Sequence, residues 1–297
     1  MAIQLLLYDQ VEVVNPERHR GWSVKAGSNF EFARDVNSVP LMAVEFPNAA
    51  KEYSIVFSGS ENEVVPVVVM GIRDEENLYV DDEGKWQAKY VPAFVRRYPF
   101  VFSSFDDGLT LTLCIDEKFS GCNQDGLGEQ LFDDEGNQTQ YITNVFEFLK
   151  QYQTSFQESG QFCKRLKELD ILNNVSATLT PPDGQAVVLK GFLAIDRNKL
   201  KALPDEKLAE LVKSDDMELI YTHLVSLRNL ESMPQRHGAD GTVENVDQEV
   251  HSEGGDASTA EADAKNPSKK KSEAKFEDAE LTAATSEEMG FWGKWFG

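Results

Sequence analysis

The chain has few of the residues from which reaction centres are usually built. Among its 297 residues are three cysteines and four histidines. Cys114, Cys122 and Cys163 are odd in number and lack any CxxC spacing, which excludes a disulfide framework and a structural zinc site. A reducing compartment is the simpler setting, with a Cys114–Cys122 hairpin pair as the oxidised alternative. Basic residues are also scarce: 29 Lys and Arg stand against 51 Asp and Glu, a formal charge of −22. A polyanion is repelled by nucleic acid and by anionic bilayers, so neither is expected as a primary partner. No run of about 18 apolar residues occurs, and no transmembrane helix is expected. The apolar run Ile3–Tyr8 has neither a positive flank nor a small-residue cleavage site, so no secretory signal is read there. The cytoplasm is therefore the expected location.

Catalytic signatures are missing too. There is no phosphate-cradling GxxxxGK[ST], no GxSxG elbow and no HExxH. Gly126-Leu127-Gly128 has Leu131 where a dinucleotide loop needs its third glycine, and reads as a plain loop. No histidine pair has the spacing of a two-histidine-one-carboxylate iron site, so no metal and no cofactor are expected. Asp81-Asp82-Glu83-Gly84 and Asp133-Asp134-Glu135-Gly136 lack the alternating ligands of a calcium loop and are read as hairpin turns with solvated carboxylates.

What is present is a strand-rich first half and a helical second half. β-Branched runs at Val11–Val14, Ser54–Phe57, Val64–Ile72, Val101–Ser103 and Leu109–Ile115 alternate with Gly and Asp turns. Pro66 inside VVPVVV suggests an edge position or a bulge, since proline cannot donate to a ladder. Pro47–Glu52 and Pro92–Arg97 read as short helices opened by proline. From Thr139 the apolar residues Ile142, Val145, Phe146, Leu149, Tyr152 and Phe156 recur at helical spacing, and Gly160 is expected to end or break that helix. Two strands, Val175–Thr180 and Ala186–Ile195, are joined by a Pro-Pro-Asp-Gly turn. Helices follow at Pro204–Lys213 and Asp216–Leu230, the latter closed by Pro234. The expected fold is α+β: a mainly antiparallel β N-terminal portion packed with C-terminal helices over residues 1–233.

Rings and prolines crowd NLYVDDEGKWQAKYVPAFVRRYPF, which offers Trp86, Tyr90, Phe94, Tyr98 and Phe100, broken by Pro92 and Pro99. Other pieces stand in order around it: His19 in NPERHRGW, VPL from Val39, EFPNAAKEYSIVF from Glu45 and LCID from Leu113. NVFEFLKQYQ, GFLAIDRNKLKALPDEKLAEL and ELIYTHLVSLRNL complete the set. Together they resemble the SapC family, a bacterial group named after a surface-layer locus. The resemblance covers Ile3–Met233. It implies a surface-layer link through the family's name, and no active-site residue.

Candidate site residues are His19, His223, Arg96 and Arg97. His223, on the apolar face of the last helix, is expected to be a hydrogen-bonded core residue. His19, between Arg18 and Arg20, is expected to be solvated. Arg96 and Arg97 either grip an anion bidentately, or pair one with Glu45 and stack the other on Tyr90 or Tyr98. The aromatic cluster is expected to be core. After Met233 the composition turns polar and acidic, so 234–289 reads as a disordered linker with a transient helix. The last eight residues carry Phe291, Trp292, Trp295 and Phe296, rings not needed for folding and typical of interface anchors.

The expected function is binding, by a non-enzymatic accessory protein that recruits a protein partner through this tip. Two alternatives stay open. One is a surface-layer-associated protein carried to the cell surface by a C-terminal export signal. The other is a small-ligand-binding or enzymatic domain using His19 and His223.

Overall fold

Short β-branched runs punctuated by turn residues can satisfy their backbone only by pairing with neighbours, and here they do so antiparallel throughout. The computed structural model describes residues 6–59, 64–104, 111–182 and 184–236. These lie in one compact unit; the linker read beyond Arg236 and the aromatic tip at Phe291, Trp292, Trp295 and Phe296 lie outside the described residues.

The largest sheet has five strands in the order β10–β11–β4–β5–β3. They are β3 (Ser38–Pro40), β4 (Ser54–Gly59), β5 (Val64–Val69), β10 (Leu172–Leu179) and β11 (Val187–Ile195). A second sheet orders β1 (Val11–Val13), β7 (Leu111–Asp116) and β6 (Phe100–Ser104). A third sets β2 (Ser23–Val24) between β8 (Cys122–Asn123) and β9 (Glu129–Gln130). Short helices α1 (Pro16–His19), α2 (Phe46–Ala49) and α3 (Ala93–Arg96) interrupt the strands. The helical half contains α4 (Gln140–Glu168), α5 (Arg197–Lys201), α6 (Asp205–Lys213), α7 (Asp216–Ser226) and α8 (Met233–Arg236). The fold is α+β with antiparallel sheets. Among the described residues no helix is long and apolar enough to cross a membrane.

Strand alternation decides which side chains meet which layer. Phe57 opposes Pro66 and Ile55 opposes Val68, so these four share one face of the large sheet. There Phe57 meets Phe162 of α4, with ring centroids 6.3 Å apart, and Phe162 meets Phe46 at 6.1 Å. Val56, Val65, Val67 and Val69 point the other way and pack with Leu230 and Met233.

Pro66 lies in an inner strand, not at the edge or bulge its residue type suggests. Its carbonyl accepts from Leu41 N–H at 2.9 Å, one residue past the end of β3. Its missing donor faces the same neighbour just past the end of β3, so the ladder forgoes a single bond there.

Gly160 does not break α4, which runs unbroken for 29 residues. A mid-helix glycine costs about 1 kcal/mol against alanine. Packing on both sides outweighs that: Ser159, Phe162, Cys163 and Leu166 are all buried. Pro234 likewise does not stop the last helix. α7 passes into a 3₁₀ segment, Leu227–Ser232, and Pro234 sits in the first turn of α8, where its missing N–H has no intrahelical role. The short helix α5 is an addition to the sequence reading; Asp196 caps it by accepting from Asn198 and Lys199 N–H.

Replacing Phe162 by Ala removes the ring shared by α2, β4 and α4. A loss of about 3–5 kcal/mol is expected in urea denaturation, with far-UV circular dichroism little changed.

Candidate functional site

The proline that opens α3 turns the chain so that consecutive arginines leave it in different directions. Arg97 points into the core and is buried. Its guanidinium lies over Phe94 at 4.3 Å, Tyr152 at 4.7 Å and Tyr8 at 5.7 Å. Burial, before the opposing influence of Arg97, pushes the Tyr8 phenol up to about 12. Half-buried Arg96 donates to the Val91 carbonyl at 2.9 Å and lies 5.7 Å over the Tyr90 and Phe148 rings.

Glu45 is buried beside them. Its Oε1 accepts from Tyr90 Oη and Ala93 N–H, both at 2.7 Å, and its Oε2 accepts from Met42 N–H at 2.8 Å. Arg96 reaches this carboxylate's neighbour, meeting the Tyr90 hydroxyl at 3.5 Å. The rings of this segment are largely core: Phe94, Tyr98 and Phe100 are buried, while Trp86 and Tyr90 are half-buried.

His19 is fully buried, contrary to the solvated position its flanking arginines suggest. Helix α1 is a single turn, capped by Asn15, which directs His19 inward while Arg18 and Arg20 stay outside. His19 Nε2 donates to Glu117 Oε1 at 3.1 Å, and Asn15 N–H donates to Nδ1 at 3.3 Å. Arg18 grips the same carboxylate through two bonds of 2.5 Å. Next to it, Asp116 is wholly buried and accepts from Asp9, Gln10 and Lys118 N–H and from Tyr98 Oη. Glu117 carries no sequence signal of its own, because it follows a strand and stands 98 residues from its histidine.

His223 behaves as the apolar helix face predicts, and its bonds give it a specific task. β4 and β11 are registered at Leu193 opposite Phe57. Two residues on, Ile195 and Ile55 would complete the ladder, but the His223 imidazole stands between them. Its Nδ1–H donates to Ile55 O at 2.8 Å and its Nε2 accepts from Ile195 N–H at 3.1 Å. Ser226, one turn later, accepts from Ile55 N–H at 3.0 Å. Asn229 then donates to the Ala50 and Tyr53 carbonyls. His223, Ser226 and Asn229 are polar residues at three-residue steps on an otherwise apolar stripe, and that spacing is the signal for a helix reading a strand's backbone.

His19 and His223 share no hydrogen-bond partner. Neither of them, nor Arg96 or Arg97, lines the two hollows beside α4. Among the described residues no group of three His, Cys, Asp or Glu is arranged to hold a metal ion. The three cysteines are free thiols. Burial pushes Cys122 and Cys163 up to about 12, so both stay protonated and are poor nucleophiles. The two acidic loops are hairpin turns, bridged at Val80–Trp86 and Phe132–Gln138. In each, the first aspartate accepts from the N–H groups two and four residues on.

An α+β scaffold with Glu45, Asp116 and Glu117 engaged internally is therefore the class of protein that this fold defines. The family model for SapC matches residues 14–233, and the chain belongs to the SapC family. Neither a curated protein nor a solved structure matches it.

Burial pushes the His223 imidazole from its ordinary 6.5 down to about 4. The unfolded chain therefore binds the extra proton first, and stability falls as pH drops from 6.5 to about 4. The contribution lost is about 3 kcal/mol. His223→Leu is expected to be less stable at neutral pH and to lose about that much less across this window, read from urea midpoints at each pH.

Proposed function

We propose that this SapC-family chain is a non-enzymatic accessory protein that recruits a protein partner through Phe291, Trp292, Trp295 and Phe296. The observation that carries the reading is the commitment of four buried ionisable residues on which a reaction centre would draw. His19, His223, Glu45 and Asp116 each spend their hydrogen bonds on the backbone or on neighbouring side chains. A general acid or base needs a free site at its reacting atom, and these atoms are occupied. The four rings of the tip are instead the residue types that dominate interface hot spots. In this reading residues 1–233 are the scaffold, 234–289 the tether and 290–297 the anchor. The net charge of −22 favours a partner whose surface around the anchor pocket is basic.

The test compares the full chain with one ending at Met289 in affinity capture from the native lysate, followed by titration of the purified partner. The expected result is a partner bound at least tenfold more weakly by the shorter chain, with an unchanged thermal midpoint. Equal binding by both chains overturns the anchor.

A further inference from the structure

The large sheet is joined unevenly. β4 and β5 pair along the whole of β4, and β10 and β11 pair along their length apart from one bulge. Between these halves the seam is thin: among the described residues, Leu193 opposite Phe57 is its one registered pair. The next rung is the His223 imidazole, which spans from Ile55 O on β4 to Ile195 N–H on β11. Helix α7 has further fastenings to β4 and the turn before it, through Ser226 to Ile55 N–H and Asn229 to the Ala50 and Tyr53 carbonyls. The rung to β11 works in one protonation state. With its proton on Nδ1 the ring donates to Ile55 and keeps the Nε2 lone pair for Ile195. A second proton, on Nε2, sets N–H against N–H: the bond to β11 is lost and the bond to β4 survives. No carboxylate is placed to relieve the charge. Asp196, beside Ile195, accepts from Asn173 and from Asn198 and Lys199 N–H, and Asp216 of α7 is gripped by Arg165. Lys190 of β11 is exposed, β4 and α2 carry no ionisable side chain, and α4 brings the Phe162 ring behind Phe57, which lies 4.9 Å from the imidazole.

We propose that the β10–β11 hairpin is an acid-released flap: a proton on His223 Nε2 unlatches it from β4, while α7, β4 and β5 stay together. On leaving, the flap takes Leu179, Ala177, Leu189 and Phe192 away from the cluster that holds Val56, Val65 and Val67. An apolar surface closed at neutral pH is thereby uncovered in acid. In the closed form burial holds the imidazole down at about 4. In the released form Nε2 meets water and the ring returns toward its ordinary 6.5. The released form binds the proton more tightly, so lowering the pH from 6.5 toward 4 favours it, by about twentyfold between about pH 7 and about pH 5. The flap is independent of the aromatic tip.

The test is amide hydrogen exchange of the full-length protein, read residue by residue by NMR at about pH 7 and about pH 5 and corrected for the intrinsic rate at each pH. The Ile195 amide faces His223, and that of Leu193, two residues back on the same edge, faces Phe57. Both are expected to be at least about tenfold less protected than Ile55, Val56 and Val67, and to lose about twentyfold more protection on going to the lower pH. His223→Leu removes both the rung and the titration, so Leu193 should be weakly protected at both pH values, without the twentyfold step. The comparison across the seam is made within the wild-type protein and stands whether or not that variant folds. Equal protection on the two sides, which means that the hairpin opens only with the whole fold, overturns the proposal. So does a step of less than about fivefold at Leu193 and Ile195, or a full step that survives in His223→Leu.

Discussion

The peptide unit of Ile55 is where the two halves of the chain are joined. Its N–H and C=O face the side on which β11 has already diverged, and a buried, unsatisfied backbone pair costs several kcal/mol. Helix α7 supplies what the strand lacks: Ser226 takes the N–H and His223 takes the C=O. Because His223 also accepts from Ile195, one imidazole ties helix, central strand and C-terminal hairpin together. The helical half is thus part of the sheet's hydrogen bonding, and not a layer laid over a finished N-terminal domain. That dependence agrees with a family match that runs without a break from residue 14 to residue 233.

The same economy governs the charged interior. Asp116 gathers three backbone donors and a phenol, while Glu117 beside it gathers an arginine and a histidine. Glu45 closes the turn before α2 and receives the N-terminus of α3. Arg97 is enclosed by rings whose faces carry partial negative charge. Buried ions held this way specify which elements meet, and are costly to leave half-paired.

Periodicity made much of this legible. The strand runs, the amphipathic stripe of α4 and the two proline-opened helices could be read because each depends on residues within a dozen positions of one another. The core role of His223 was legible from the apolar face around it. The burial of His19 was not, because its local neighbours are arginines and its partner Glu117 comes from another part of the chain. Gly160 and Pro66 misled for one reason: propensity reports a residue alone, whereas Ser159 and Phe162 hold the helix and the early end of β3 excuses the proline. The groove beside α4 draws on residues near 40, 65 and 160, and no window of sequence contains all three.

The dependence of Ile55 on His223 has a consequence for synthesis. The apolar strands β4 and β5 emerge from the ribosome long before α4, β11 and α7, which cover and complete them. At roughly 5–20 residues per second, the interval is on the order of ten to thirty seconds. For that time Ile55, in the uncharged sheet-forming run SIVF, lacks the two side chains that take up its N–H and C=O. The bonds that complete the central strand are thus among the last that the growing chain can form.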